Sequence, residues 1–424
     1  MLTASALAGV APRIDRVLAV ILPLFLLVDW LNGALLQYYG SSFGLAAVYK
    51  LALLALMALS LSVYQPKWLL ALISLMLVML LGPALHWPQM HSSWIVADMQ
   101  LAVKAISPLL ALGYLTQLLK RNHILAKRLI QHSVVCSSAV LLINFVLGAL
   151  GVGGTAYQPL DGVAQSFLGF KGLFYSTNEL SAVLLLITGI LLYTCWQRHV
   201  LWYALCSLLA LAMALSLLTK TGILGISMLI LLVPLLLQSA IFWRKRKKLI
   251  ISLALCFTAI LLLLLFNLES LLRSLGIYDK LSFVYQQRGL SGILLSSRDY
   301  YASRIWQSVA GNYSLVEQYL GVGQGGVAML LKKYFAEMDW FDLFTFYGVA
   351  GGLVYLLTFS LFLYHSWQLR ALGAGRVLIL VNLLMLLVST MAGHILSSGM
   401  VWLPWALANA MLLTLSRRAH ERSA

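Results

Sequence analysis

"LFTFYGVAGGLVYLLTFSLFLY", residues 343–364, carries no charged side chain and is long enough, as a helix, to cross a hydrocarbon core. Directly ahead of it stands "EMDWFD", residues 337–342, which places Glu337, Asp339 and Asp342 together in a chain with only 13 acidic residues. The apolar run decides the fold class. The acids pose the functional question: they are either a solvated collar or a site of chemistry at the membrane surface.

The composition generalises from that one segment. Hydrophobic residues make up 62% of the 424 positions, charged residues 10%, and the mean hydropathy is +0.92. That balance excludes a soluble globular domain. Comparable apolar stretches lie near 17–37, 44–63, 68–87, 100–119, 129–152, 179–196, 200–218, 221–240, 249–267, 341–365, 375–393 and 395–415. The expectation is an all-α integral membrane protein with about 12 transmembrane helices, since barrel strands are shorter and alternate apolar with polar. The first stretch follows Arg13 and Arg16 and runs into "LLQYYGSS" without a small-residue cleavage site, so it reads as an anchor. The 4 cysteines form no CxxC pair and fall in or beside apolar segments, as small packing residues do.

Charge supplies an orientation. With a cytoplasmic N-terminus, the inward-facing positions collect 18 of the 29 Lys and Arg, including "KRNHILAKR" (120–128), "RKRKK" (244–248) and "SRRAHER" (416–422). Cytoplasmic loops attract Lys and Arg, so both termini are expected inside. The net charge of +16 is then accounted for by topology and by attraction to anionic membrane lipids, with no nucleic acid as partner. One outward connection, about 268–340, is far longer than the rest and lies between helices 9 and 10; 153–178 is moderately long. The chain reads as one polytopic membrane domain, 1–424, whose working face is the outer one.

Several outward residues are candidates for chemistry. Lys220 in "LLTKTGILG" (217–225) sits against the inward bias of positive charge. It is either a lysine snorkelling from a helix end or a cation for an anionic ligand. In "LSSRDYYASRIWQSV" (295–309), Arg298, Ala302, Ile305 and Val309 recur at helical spacing, which predicts an amphipathic helix lying on the membrane. Arg298 or Arg304 there is suited to a lipid phosphate, although a solvated role is preferred for Arg304. "GVGQGGVAML" (321–330) lacks the strand and the Gly-Lys-Ser/Thr of a nucleotide loop and reads as a tight turn. "GFKGLFYSTNEL" (169–180) brings Lys171, Asn178 and Glu179 to a helix mouth, where Asn178 serves substrate or caps the helix. His394 in "STMAGHILSSG" (389–399) falls at a short outer turn, as a structural or a substrate-binding residue. Within the apolar segments, Lys50 and Lys104 are costly enough to need a purpose, and Asp29 is a partner for one of them. Cations and carboxylates on one membrane face suit a reaction with a diphosphate leaving group: the cations bind it and a carboxylate takes the proton of an attacking hydroxyl.

"FKGLFYSTNELSAVLLL", "LTKTGILG", "SSRDYYASRIW…GVGQGG" and "EMDWFDLFTFYGVAGG" occur in the order found in the O-antigen ligase and O-antigen polymerase superfamily, which the chain resembles over residues 169–399. The resemblance implies a bacterial inner-membrane protein with about a dozen helices and its active site facing the periplasm. It implies a metal-independent, inverting C-type glycosyltransferase without a cofactor, using an undecaprenyl-diphosphate-linked glycan as donor. Arg298 resembles the loop arginine that binds the diphosphate, with Lys220 where the ligases have arginine. Gly348 and Gly351 match the closing GxxG. Where ligases carry a histidine, this chain has Glu337, so Glu337 and Asp339 are the candidate catalytic residues. Lys171, Asn178, Arg304 and His394 are the candidate substrate-binding residues. That departure favours polymerisation of O-antigen or exopolysaccharide repeats, with a chain-length regulator protein as partner, over ligation to lipid A–core. A flippase or secondary transporter, with polar sites at the bilayer midplane, is the reading from another class.

Overall fold

The computed structural model describes residues 4–157, 168–238, 255, 269–270, 273 and 278–421. The ninth apolar stretch, 249–267, apart from Leu255, and the basic run 244–248 lie outside them. Among the described residues, ten helices are long and apolar enough to cross a membrane. The first is α1 (Ala4–Ile21) joined through a single 3-10 turn at Leu22–Leu24 to α2 (Phe25–Tyr39). Next come α3 (Leu45–Tyr64), α4 (Pro66–His86), α5 (Ser92–Arg121), α6 (His123–Ala149), α7 (Thr177–Arg198), α8 (Val200–Leu217) and α9 (Lys220–Leu237). Between α6 and α7, β1 (Gly154–Thr155) and β2 (Phe170–Gly172) pair antiparallel. Four short helices follow: α10 (Tyr278–Leu294), α11 (Arg298–Asn312), α12 (Leu315–Leu320) and α13 (Gly323–Leu330). The chain then returns to the bundle as α14 (Asp339–Gln368), α15 (Gly373–Met391) and α16 (Trp402–Glu421).

The two ends of the bundle are built differently. At one end α3–α4, α5–α6 and α7–α8 are joined by single residues, Gln65, Asn122 and His199. Two of the three also cap the next helix: the Asn122 side chain accepts from Leu125 N–H and the His199 ring from Leu201 N–H. The third connection is closed by Pro66 at the first helical position, where a missing N–H costs nothing. The other end carries the longer connections, the small sheet and α10–α13. This is the end the charge pattern assigns to the outside.

Helices α5, α7 and α16 run through the centre, and Trp402 and Trp405 of α16 are fully buried. A buried amide–indole network ties α15 to α16: Trp405 Nε1 and Asn409 Nδ2 donate to Asn382 Oδ1 at 2.8 and 3.2 Å. With no water in a bilayer core, such groups must satisfy each other.

Three expectations need correction. The last apolar stretch does not become helical at 395; α16 begins only at Trp402, and this helix is not among the ten. Residues 392–401 form instead a non-helical strap over the outer end, because Gly393 and His394 take positive φ values of 67° and 60°. Second, α11 has the foreseen stripe, with Arg298, Ala302, Ile305 and Val309 buried, but that stripe packs on the protein, against α13 among others. Third, the helix cap at α7 is Ser176, with Asn178 inside the first turn.

The glycine-rich stretch is the plug that seats this periphery in the bundle. A Cβ at Gly82 of α4 would lie 2.1 Å from the Leu320 carbonyl oxygen, and one at Gly348 of α14 1.9 Å from that of Tyr319. Gly348 itself breaks the helical geometry of α14 at φ 57°, ψ −145°. Asp98 of α5 completes the joint. Its carboxylate accepts from Gln324 N–H at 2.7 Å and Trp87 Nε1 at 3.2 Å, and its carbonyl accepts from Tyr347 Oη at 2.6 Å.

Candidate functional site

The three acids of "EMDWFD" separate into two anchors and one open side chain. Asp342, in the first turn of α14, is buried and turns back on the chain that precedes it. Its oxygens accept from Ala336 N–H at 2.8 Å and Met338 N–H at 3.1 Å. Asp339 opens α14 and is 1% exposed. It accepts from Ser389 Oγ, Ile395 N–H and Ser397 Oγ, each at 2.7 Å, and from Leu396 N–H at 3.2 Å. A carboxylate with that many charge-assisted bonds is a fixed point. It holds the strap 394–397 onto the head of α14. The solvated-collar reading therefore fails for both aspartates, and their own partners occupy the oxygens that a base needs.

Glu337 is held between them. Its backbone is left-handed, φ 66°, a conformation that costs energy for a non-glycine residue and is here enforced from both sides. Asp342 grips residues 336 and 338, and Gly393 presses on the Glu337 carbonyl so closely that a Cβ there would lie 2.0 Å from the oxygen. The result turns the Glu337 side chain away from Asp339, toward Arg298. Arg298 Nη2 donates to Glu337 Oε2 at 3.2 Å, and Lys333 Nζ donates to Oε1 at 3.3 Å. Burial alone would raise the Glu337 pKa, but Lys333, then His394 and Arg298, outweigh it and hold the carboxyl below its ordinary value. It is an ionised acceptor at neutral pH, and at 31% side-chain exposure it remains accessible.

Arg298 begins α11 and is buried, yet its donors are underused. Among the described residues, Nη1 reaches only the Met391 carbonyl at 3.5 Å, and Nε is buried without a hydrogen-bond partner. A buried guanidinium with spare donors is suited to an anion. Lys220 is the first residue of α9, after the N-cap Thr219, rather than in the turn itself. Its ammonium donates to the Ile293 carbonyl and, at 3.1 Å, to Ser296 Oγ, so it fastens the turn that leads into Arg298. Arg288 lies 4.6 Å over the Tyr300 ring and Lys333 4.0 Å over that of Tyr301, adding further positive charge around the same helix start.

The remaining candidates divide. His394 comes to the site: it follows Gly393 on the strap, Nδ1 sits 3.0 Å from Ser397 Oγ, and its charge is felt at Glu337. Lys171 lies on β2, with Nζ donating to the Tyr175 carbonyl at 2.8 Å and burial pushing its pKa down. Asn178 is half-buried at the head of α7, with no contact to Arg298 or Glu337 among the described residues. Arg304 is exposed on α11, and its hydrogen bond among the described residues is to Tyr300 Oη at 3.4 Å.

A second polar cluster, built around the intramembrane lysines and Asp29, lies across the strap. Lys50 pairs with Asp29. Both line a cavity of about 610 Å3 with Lys104 and Glu179, and Glu179 accepts from Ser398 Oγ on the strap. Glu179 is the acid of the helix mouth that also holds Lys171 and Asn178, whereas Asp98 was missed; its one signal is an acid within an apolar segment.

Residues 279–417 match the model of the family described as O-antigen ligase like membrane protein. The match contains Arg298, Glu337, Asp339 and His394 and leaves Lys171 and Lys220 outside it. No curated protein matches the chain.

Proposed function

We propose that this O-antigen ligase-like membrane protein transfers a glycan from a lipid-diphosphate donor to an acceptor sugar, with Arg298 holding the diphosphate and Glu337 accepting the proton. The observation that carries the proposal is the open ion pair between them: an ionised, accessible carboxylate beside a buried guanidinium with spare donors. The acceptor hydroxyl oxygen attacks the anomeric carbon of the donor sugar, and its proton passes to Glu337. The bond from that carbon to the diphosphate breaks on the opposite face, its electron pair leaving on the diphosphate oxygen, with inversion. Arg298, its turn secured by Lys220, neutralises the charge that develops there. Protein cations supply this charge in a reaction we read as metal-independent. In the absence of donor, Arg298 rests on Glu337; a bound diphosphate competes for the guanidinium and leaves the carboxylate more basic.

Glu337 stands where ligases carry a histidine, which favours polymerisation of repeat units over ligation to lipid A–core. On this reading His394, which stands on the strap and whose charge acts on Glu337, receives the proton onward. On this reading the protein lies in the bacterial inner membrane with this end in the periplasm, an orientation that the positive-inside pattern supports. Purified protein supplied with an undecaprenyl-diphosphate-linked repeat tests the proposal. Glu337→Gln is expected to bind donor without turning it over, and Arg298→Ala to lose both. Wild-type turnover in Arg298→Ala would overturn it. Alkaline phosphatase fused within 313–320 is expected to be active and a fusion after Arg198 inactive; the reverse would place the site in the cytoplasm.

A further inference from the structure

The cavity across the strap has the make-up of a second ligand site. Its walls come from α2, α3, α5 and the head of α7, and its floor includes Gly399. Lys50 and Lys104 converge over that glycine: a Cβ there would lie 3.4 Å from Lys50 Nζ and 3.7 Å from Lys104 Cε, so the absent side chain leaves the space between the two cations open. Lys50 is paired with Asp29, whose other oxygen, Oδ2, is buried without a hydrogen-bond partner. Lys104 lines the same cavity and makes no hydrogen bond or ion pair among the described residues, although the charge of Glu179, which lines that cavity too, acts on it. An ammonium taken out of water needs an anion or a polar ligand. The other wall is apolar, and there Leu51, Val96 and Met99 are 57%, 51% and 44% exposed on helices that span the membrane. All three stand within two turns of the outer ends of α3 and α5, at the depth where lipid head groups meet acyl chains.

We propose that this cavity binds an anionic amphiphile, a phosphate head on a hydrocarbon chain, with the head between Lys50 and Lys104 and the chain leaving sideways past Leu51 and Met99. The strap joins it to the first site. Gly393 bears on Glu337, Asp339 holds residues 395–397, Ser398 bonds Glu179, and Gly399 lies under the lysines. A glycan transfer between two lipid-anchored molecules needs two such head-group sites, and on that reading this one seats the second substrate. Only that last assignment rests on the glycan-transfer reading.

Binding of farnesyl monophosphate, farnesol and inorganic phosphate to the purified full chain in phosphatidylcholine nanodiscs separates the alternatives. The measurement is made in the Arg298→Ala protein, so that the first site contributes nothing, and in the wild type. Saturable binding of farnesyl monophosphate is expected in both, with farnesol and inorganic phosphate far weaker. Lys104→Ala is expected to weaken it about 10–100-fold, as loss of a charge-assisted contact does, and Lys104→Arg to restore most of it. Gly399→Leu keeps both charges and fills the gap between them, so it is expected to block binding with an unchanged melting temperature. Undiminished binding in both Lys104→Ala and Gly399→Leu overturns the proposal. Inorganic phosphate binding as tightly as the amphiphile overturns it as a lipid site, and loss in Arg298→Ala alone returns the ligand to the first site without touching the glycan-transfer reading.

Discussion

Two arginine–carboxylate pairs sit at opposite ends of this bundle, and only one is built to open. At the inner end Arg121 Nη1 donates to Asp15 Oδ2 at 2.9 Å, and Asp15 also accepts from Ser60 Oγ at 3.0 Å and Tyr114 Oη at 3.3 Å. The Arg121 guanidinium is stacked 3.5 Å over the Tyr64 ring. At the outer end Arg298 meets Glu337 at 3.2 Å. Both guanidinium Nε atoms lack a hydrogen-bond partner, so the arginines alone do not separate the pairs. The carboxylates do. The Asp15 side chain is 4% exposed and fully bonded between three helices; that of Glu337 is 31% exposed and stands on a strained turn. The charge of the inner pair is enclosed in helix packing, whereas the carboxylate of the outer pair stays accessible.

The largest expected effect breaks the two pairs in opposite ways. Arg298→Ala should abolish turnover while leaving the melting temperature and gel-filtration profile close to wild type. Arg121→Ala should leave Asp15 buried and uncompensated, costing about 3–5 kcal/mol of stability, with unchanged turnover per folded molecule. If both variants lose stability alike, the distinction between a locked and an open pair is wrong.

Next in size is the contrast within "EMDWFD". Glu337→Gln should lower turnover ~10²–10⁴-fold with donor still bound, the usual range for loss of a general base. Asp339→Asn should act on the fold instead, since each hydrogen bond to a buried charge contributes ~1.5–3 kcal/mol and the strap depends on several. Asp342→Asn, with fewer donors, should follow in the same direction. Thermal unfolding beside single-turnover kinetics separates the three; a stable, inactive Asp339→Asn would instead make Asp339 the base.

A smaller effect concerns pH. Because the Glu337 pKa is depressed, its ion pair contributes fully above the ordinary carboxylate value of 4.5 and is lost as pH falls through the lower folded value. The stability of wild type relative to Glu337→Gln should therefore be constant near neutrality and shrink only on the acid side. A difference that already changes across neutrality would show that Glu337 is not the group responsible. Least of all, Arg304→Ala should change turnover by no more than about twofold, as expected for a solvated charge.

Parts of the site were legible in one dimension. The spacing of Arg298, Ala302, Ile305 and Val309 named the buried face of α11 residue by residue, because a helix repeats every 3.6 positions whatever it packs against. What the spacing could not say was that protein, not lipid, covers that face. The pairing of Asp29 with Lys50 was legible for a similar reason: a charge inside an apolar segment must find an opposite one. The strap was not legible. "AGHILSSG" is apolar enough to pass for the start of a spanning helix, and the left-handed turn that prevents it depends on Asp339, more than fifty residues earlier in the chain.

By itself the sequence determined that this protein is a helical, multi-pass membrane protein and that its longer, more polar connections hold the candidate residues. Those follow from segment length, hydropathy and charge, which act locally. Only the tertiary structure decided the roles of three acids within six positions. Two were drawn into buried donor sets, and the third, on a backbone twisted left-handed between them, was left facing an arginine. A carboxylate's role depends on which donors surround it in space, and here those donors come from distant loops and helices that no local pattern connects.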